Sequence, residues 1–216
     1  VLATGLAFLM LGLGGFGGLV NMSYGMNAMV HNTSWVTAHF HLIFGGTVVI
    51  MYFAIAYAIW PALTGRAAPS LGAQRMQLWL WFAGMLVMTL PWHYLGLLGQ
   101  WRRVANFNYA DPIIAAWGPW VVVSLIGGLI LLASGLLFVL NLLQFAVSRE
   151  PHAGAPGELY ATAVHPPARV PAALNGFRLW NGLVLVLMIL AYGYPIAQFF
   201  VLNVPQALVH RVDERR

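Results

Sequence analysis

Long apolar runs, nearly free of charge, alternate with short polar or arginine-bearing stretches along the chain. The runs cover approximately residues 2–20, 34–60, 76–98, 113–147 and 177–202. None of them alternates between apolar and polar residues as a half-buried strand does, and each is long enough to cross a bilayer core of about 30 Å as a helix. The pattern therefore predicts an all-α protein, a polytopic transmembrane helix bundle with five crossings.

Two of the stretches between runs contain residues that favour helix starts. Asp111 offers a capping carboxylate, and Pro112 follows where a missing N–H costs nothing. The uncharged polar stretch 21–34 is typical of an interfacial loop, and the residue that caps the next helix is expected to be Asn32, Thr33 or Ser34. The stretch 148–171, rich in proline, glycine and alanine, is predicted as an extramembrane loop within a single transmembrane region covering 1–216.

Composition narrows the class of protein further. The chain of 216 residues is 61% hydrophobic and 7% charged, whereas a soluble domain carries about 25% charged residues. It has no cysteine, which excludes disulfides, thiolate metal sites and thiol nucleophiles. All basic residues are arginine, and the net charge of +5 comes from loops and tail. This distribution favours a membrane surface or anionic cofactor groups as partners, and no nucleic acid is expected.

The acidic residues all lie outside the five runs. The chain therefore offers no pair of carboxylates for general acid–base catalysis and no acidic proton relay within the membrane. No glycine-rich turn joins a strand to a helix, so a phosphate-binding loop is not expected either. Histidine remains as the residue type that can carry chemistry.

Two histidines, His39 and His41, lie two residues apart near the start of the second run. Each residue of a helix advances about 100°, so the two imidazoles are expected to lie about 200° apart. They cannot converge on one ion, as a helical pair spaced three or four apart can. They can instead serve two centres, one on each side of the helix, with Phe40 between them in sequence.

Haem binding and interfacial placement are competing interpretations of these residues. A histidine near the end of a membrane helix is commonly a hydrogen-bonding or interfacial residue, yet neutral imidazole also ligates haem iron. Arg102 and Arg103 lie in a loop on the same side of the predicted bundle as the histidine pair, and His31 precedes the pair by eight residues. Arginine binds carboxylates such as haem propionates bidentately, but an arginine pair at a helix end also snorkels to the interface.

Three segments resemble a known family. The segment HNTSWVTAHFH (residues 31–41) resembles a catalytic helix of subunit I in the heme-copper oxygen reductases, and is closest to the B-type branch with its ba-type oxidases. AYAIWPALTG (56–65) continues the resemblance, and HYLGLLGQWRR (93–103) is similar to a histidine and paired-arginine stretch of the same superfamily. Since Val1 is not an initiator, the chain is expected to be the C-terminal part of that larger bundle.

The resemblance implies a role for each residue of the motif. His39 would be the proximal ligand of a high-spin haem at which oxygen is reduced, and His41 an axial ligand of a low-spin haem. Phe40 would lie between the haems, on or near the electron path, and counts with His39 as catalytic. The residues implied to contact haem propionates are His31, Arg102 and Arg103.

The chain departs from the family pattern in two respects. Asn27 stands where B-type members usually have an aspartate, four residues before the position of His31. The copper B ligands and the second low-spin haem ligand belong, in this family, to a region before the matched one, so copper B would be held by residues outside this chain. Of the remaining histidines, His93 is expected to make hydrogen bonds, and the other three to be solvated: His152, His165 and His210.

The resemblance implies the C-terminal part of the catalytic subunit of a terminal respiratory oxidase, with two haems, which reduces O2 to water and pumps protons. Its partners would be the remainder of subunit I, subunit II and small membrane subunits, cytochrome c or quinol as electron donor, and membrane lipid, in a prokaryotic inner membrane. Two alternatives stay open: a nitric oxide reductase of the same superfamily, and a non-catalytic membrane scaffold or transporter.

Overall fold

The computed structural model describes residues 1–67, 70–104, 106–148, 171, 174 and 176–200. The chain divides into two compact units, Val1–Leu159 and Tyr160–Arg216, each of which is described by itself. Most of the predicted extramembrane loop 148–171 lies outside the described residues, as do His152, His165 and His210.

The described part of the first unit consists of helices. They are α1 Leu2–Met22, α2 Tyr24–Val30, α3 Ser34–Phe40, a π-helical segment His41–Val48, α4 Val49–Thr64, α5 Leu71–Leu97, α6 Pro112–Ala115 and α7 Gly118–Val147. The second unit contains α8, Phe177–Phe200. Five spans are long and apolar enough to cross a membrane, which confirms the predicted all-helical architecture with five crossings.

Three boundaries differ from the prediction. The stretch 21–34 is not a loop throughout, because α2 occupies residues Tyr24–Val30. Helix α5 begins at Leu71 rather than near residue 76, since the polar residue Gln74 is buried inside the bundle instead of lying in a loop. The fourth run is interrupted between α6 and α7.

The predicted helix caps are present. Thr33, one of three candidates, accepts a hydrogen bond from the Trp35 backbone N–H at its Oγ1 over 3.3 Å. Asp111 Oδ1 accepts from the backbone N–H of Ile113 at 2.8 Å, and Pro112 is the first helical residue. Both side chains satisfy N–H groups that the helix itself leaves unpaired.

Close helix contacts occur at glycines. A Cβ atom at Gly84 would lie 2.9 Å from the side chain of Leu131, and one at Gly127 would collide with the backbone N of Met88. Glycine lets helix backbones approach each other in lipid, where packing rather than the hydrophobic effect drives association. Helices α5 and α7 therefore pack closely against each other.

A buried polar cluster ties α4, α5 and α7 together, about four turns beyond His41. Tyr57 Oη donates to Gln77 Oε1 at 3.2 Å and accepts from Asn141 Nδ2 at 2.9 Å. Gln77 Nε2 donates to Ser134 Oγ at 3.1 Å. Gln77, Ser134 and Asn141 are completely buried, so these bonds fix how the three helices dock.

Candidate functional site

His39 faces helix α1. Its Nδ1 atom lies 2.9 Å from the carbonyl oxygen of Gly14. A Cβ atom at Gly17 would lie 3.1 Å from that Nδ1, and one at Gly18 would lie 3.3 Å from the ring carbon Cε1. Gly14, Gly17 and Gly18 therefore form the surface against which the His39 ring packs.

His41 faces a different helix. Its ring contacts Trp92 of α5 edge-on, with the centroids 5.2 Å apart, and its Nδ1 lies 2.8 Å from the Thr37 carbonyl oxygen. The ring of Phe40 is tilted against it at 4.5 Å, and 39% of Phe40 is exposed. The two imidazoles of the pair thus have separate surroundings, one on α1 and one on α5.

The hydrogen bonds fix the tautomer of each ring. A carbonyl oxygen only accepts, so in a neutral imidazole bonded to it the proton is on Nδ1 and the lone pair on Nε2. Within the described residues neither Nε2 has a hydrogen-bond partner. Both rings thus have the form in which histidine ligates a metal, with the ring orientation set by an outer hydrogen bond.

The arginine-bearing loop is joined to the start of α3. Thr33 and Trp101 form an antiparallel β-bridge, and the backbone N–H of Arg102 donates to the Asn32 carbonyl at 3.0 Å. Ser34 Oγ donates to Gln100 Oε1 at 2.7 Å, so a side-chain bond reinforces the bridge. The same end of the bundle therefore holds the arginine pair and the helix that carries both histidines.

Arg102 and Arg103 line a pocket of about 310 Å³, together with Thr37, Trp92 and others. Arg102 Nε is buried and has no partner within the described part of the chain. Arg103 is exposed and has φ 62°, a left-handed conformation that side chains rarely adopt and that concentrates at functional sites. The pocket therefore places the cationic Arg102 and Arg103 next to Trp92, the residue whose ring contacts His41.

No carboxylate neutralises this pocket among the described residues. Their only acid is Asp111, and its Oδ1 is engaged in capping the next helix. A buried guanidinium nitrogen without a partner is costly, so an anion is the ligand that fits there best.

His31 is not part of that pocket. It is exposed, its Nδ1 lies 3.4 Å from Asn27 Oδ1, and both residues line a separate pocket of about 330 Å³. Asn32, whose carbonyl binds Arg102, lines this second pocket too. The structure thus places His31 beside the arginine pocket rather than inside it.

His93 makes the hydrogen bond that the sequence predicts for it. Its Nδ1 lies 2.9 Å from the Thr89 carbonyl oxygen, and its ring contacts Trp35 edge-on at 4.9 Å. No group of three His, Cys, Asp or Glu able to hold a metal ion occurs within the described residues. Each histidine of the pair at 39 and 41 thus offers a single ligand atom.

Sequence reasoning missed the tryptophans of this site and the π-helix. Trp92 adjoins His93 in the sequence, but nothing in the apolar pattern singles it out from the other tryptophans. The π-helical segment His41–Val48 begins at a ligand candidate, and π-turns are frequent at functional sites. The adjacent glycines Gly45 and Gly46 within it were the signal available in the sequence. In the structure both positions lie close to neighbouring helices.

Comparisons with known proteins point to one family. The family model described as "Cytochrome C and Quinol oxidase polypeptide I" matches residues 1–130. A cytochrome c oxidase subunit 1 of Thermus thermophilus is 34% identical over 195 residues, which is 87% of this chain and 34% of the relative. The chain thus spans about a third of the length of that relative.

Further relatives agree. A shorter Thermus thermophilus sequence of the same name is 41% identical over 87 residues, 38% of this chain and 79% of the relative. The cytochrome c oxidase subunit 1 of Synechocystis is 35% identical over 131 residues, 60% of this chain and 22% of the relative. A heme-copper terminal oxidase dimer solved by cryo-EM matches with a TM-score of 0.65 and 25% identity, over 88% of this chain and 33% of that one.

Proposed function

Because the chain belongs to the cytochrome c and quinol oxidase polypeptide I family, we propose that it is the C-terminal part of the catalytic subunit of a terminal respiratory oxidase. In this proposal the oxidase is of the B-type branch, takes electrons from cytochrome c or quinol, reduces O2 to water and pumps protons. The observation that carries the proposal is the histidine pair. His39 and His41 leave one helix toward different neighbours, and each keeps Nε2 available.

The residues present fit two haems. His39 would ligate the high-spin haem iron and His41 the low-spin haem iron, with Phe40 between them. When bound, such haems supply reversible one-electron transfer and, at an open coordination position, oxygen binding. The chain's own contribution is orientation, because the Gly14 and Thr37 carbonyls each hold one imidazole in the Nδ1–H tautomer.

The arginine pocket fits the propionate groups. Arg102 would bind a propionate through its guanidinium, whose Nε is buried, and Arg103 would bind beside it at the exposed edge of the pocket. His31 would reach a propionate from the neighbouring pocket. Asn27 cannot exchange a proton there, so any proton held near His31 must be held by another group.

The complete enzyme requires chains or segments beyond these 216 residues. This chain covers 34% of the Thermus thermophilus relative that it matches over 195 residues, and the described residues offer no histidine cluster for copper B. We propose that copper B is held by the remainder of subunit I, and that subunit II and small membrane subunits complete the complex. The five apolar helices and the bacterial relatives support a multi-pass location in a prokaryotic inner membrane.

Reduced-minus-oxidised visible spectra of the purified complex test this proposal. We expect bands of two haems, with His39→Ala removing the high-spin bands and His41→Ala removing the low-spin bands. Absence of any Soret band would contradict the proposal and favour a scaffold or transporter. Turnover with nitric oxide and none with oxygen would favour the nitric oxide reductase of the same superfamily.

A further inference from the structure

The π-helical segment His41–Val48 leaves one backbone carbonyl without its usual partner. In an α-helix the N–H of Val49 would bond the carbonyl of Gly45, four residues earlier. Here that N–H bonds the carbonyls of Phe44 and Gly46 instead. The Gly45 carbonyl is therefore skipped at the point where the π-helix returns to α-helix.

Trp81 of helix α5 donates a hydrogen bond to this carbonyl. Its indole Nε1 donates to the Gly45 oxygen at 2.7 Å, and its ring packs edge-on against Phe53 at 4.9 Å. A Cβ at Gly45 would lie 3.0 Å from Met85 Cε, so a side chain there would require Met85 to shift. A backbone carbonyl within a membrane-spanning helix must be paired, so the indole N–H directly stabilises the π-turn at the end of this segment.

The π-turn determines how the histidines are oriented relative to α4. A π-turn amounts to one extra residue in a helix, so its loss would rotate the two halves by about 100° and shift them by about 1.5 Å. The half after the turn is fixed in the core by Ile50 and Phe53. The half before it carries His39 against α1 and His41 against α5.

We propose that Trp81 is a positioning residue, which holds the π-turn and through it the orientation of the His39 and His41 imidazoles. Its functional meaning rests on the haem ligation proposed above. Without the indole N–H, the Val49 N–H regains the Gly45 carbonyl as an α-helical partner, and the two rings turn away from their present neighbours.

The test uses Trp81→Phe in the intact complex, which keeps an aromatic ring and removes the donor. Trp79→Phe is the matched control, because Trp79 lies on the same helix and is 50% exposed. We expect Trp81→Phe to shift the low-spin haem g-values in electron paramagnetic resonance and to slow electron transfer between the haems by roughly tenfold or more. The control should leave both unchanged.

A cryo-EM map of Trp81→Phe gives a readout that does not depend on haem. An α-helical bond from Val49 to Gly45 supports the proposal, and an intact π-turn with wild-type g-values overturns it. If Trp81→Phe does not assemble, benzothienylalanine at position 81 keeps the bicyclic shape without the N–H, and the same outcomes apply. Loss of haem from wild type itself would instead contradict the proposed function.

Discussion

The carbonyl oxygen of Gly14 lies 2.9 Å from Nδ1 of His39 and joins helix α1 to the helix that carries both histidines. Because this bond requires the proton on Nδ1, the ligating electron pair of the ring is on Nε2. The absence of side chains at Gly17 and Gly18 gives the ring its place. A glycine-rich membrane helix thus acts here as the support of an imidazole.

A larger side chain on the face of α1 that contacts His39 should displace the high-spin haem and spare the low-spin haem. We expect Gly17→Val to lower the occupancy of the high-spin haem by roughly tenfold, because its side chain would overlap the His39 ring. The low-spin haem should stay bound. Gly15→Val is the control, since a Cβ at Gly15 has no neighbour within 4 Å. Equal haem loss in both variants, measured by pyridine haemochrome spectra, would contradict this role of α1.

The contact between His41 and Trp92 should matter for the low-spin haem alone. An edge-on ring pair contributes about 0.5–1.5 kcal/mol, so Trp92→Leu is expected to weaken low-spin haem retention by roughly two- to tenfold. The high-spin haem, on the α1 side, should keep its wild-type spectrum. Titrated release of each haem measures this, and an effect confined to the high-spin haem would refute the assignment.

Removing the charge of Arg102 should lower a haem reduction potential. A cation near the haem favours the reduced state, and a unit charge at a separation on the order of 12 Å and an effective dielectric constant of about 20 would contribute about 1.4 kcal/mol, or roughly 60 mV. We therefore expect Arg102→Leu to lower the potential in a redox titration. Arg66→Leu, in the loop where Arg66 binds the Ser148 carbonyl, should not change it. An unchanged reduction potential in both variants would contradict the proposed contact between Arg102 and a haem propionate.

Gly96 should tolerate no side chain. A Cβ there would collide with the backbone N of Trp35, so Gly96→Ala is expected to destabilise the complex by about 3 kcal/mol. Gly128→Ala should be neutral or slightly stabilising, because nothing lies within 4 Å of its Cβ position. Thermal unfolding of the purified complexes gives the comparison, and similar melting of the two variants would be inconsistent with the packing described.

The polar cluster of α4, α5 and α7 should contribute stability but not haem binding. Tyr57→Phe leaves the partner atoms of Gln77 and Asn141 unpaired in the bundle, which costs about 1–3 kcal/mol. Tyr52→Phe removes the hydroxyl of a tyrosine that is 64% exposed, and should change little. Thermal unfolding again measures the difference, and a haem spectrum altered by Tyr57→Phe would show that the cluster reaches the site.

The apolar pattern predicts five crossings because runs of this length have no other stable arrangement in lipid. It misplaces the start of α5, since Gln74 looks like a loop residue until its burial inside the bundle is known. The divergence of His39 and His41 follows from their spacing. The π-turn beyond them does not, because it depends on a hydrogen bond from Trp81, which is 36 positions away from Gly45.

A density map of the intact complex, at a resolution that separates the imidazole rings, provides the most direct test. The His39 and His41 Nε2 atoms should each ligate a separate iron, on opposite sides of one helix. Convergence of both rings on a single atom, or contacts with lipid and water only, would contradict the assignment of two metal centres to this helix.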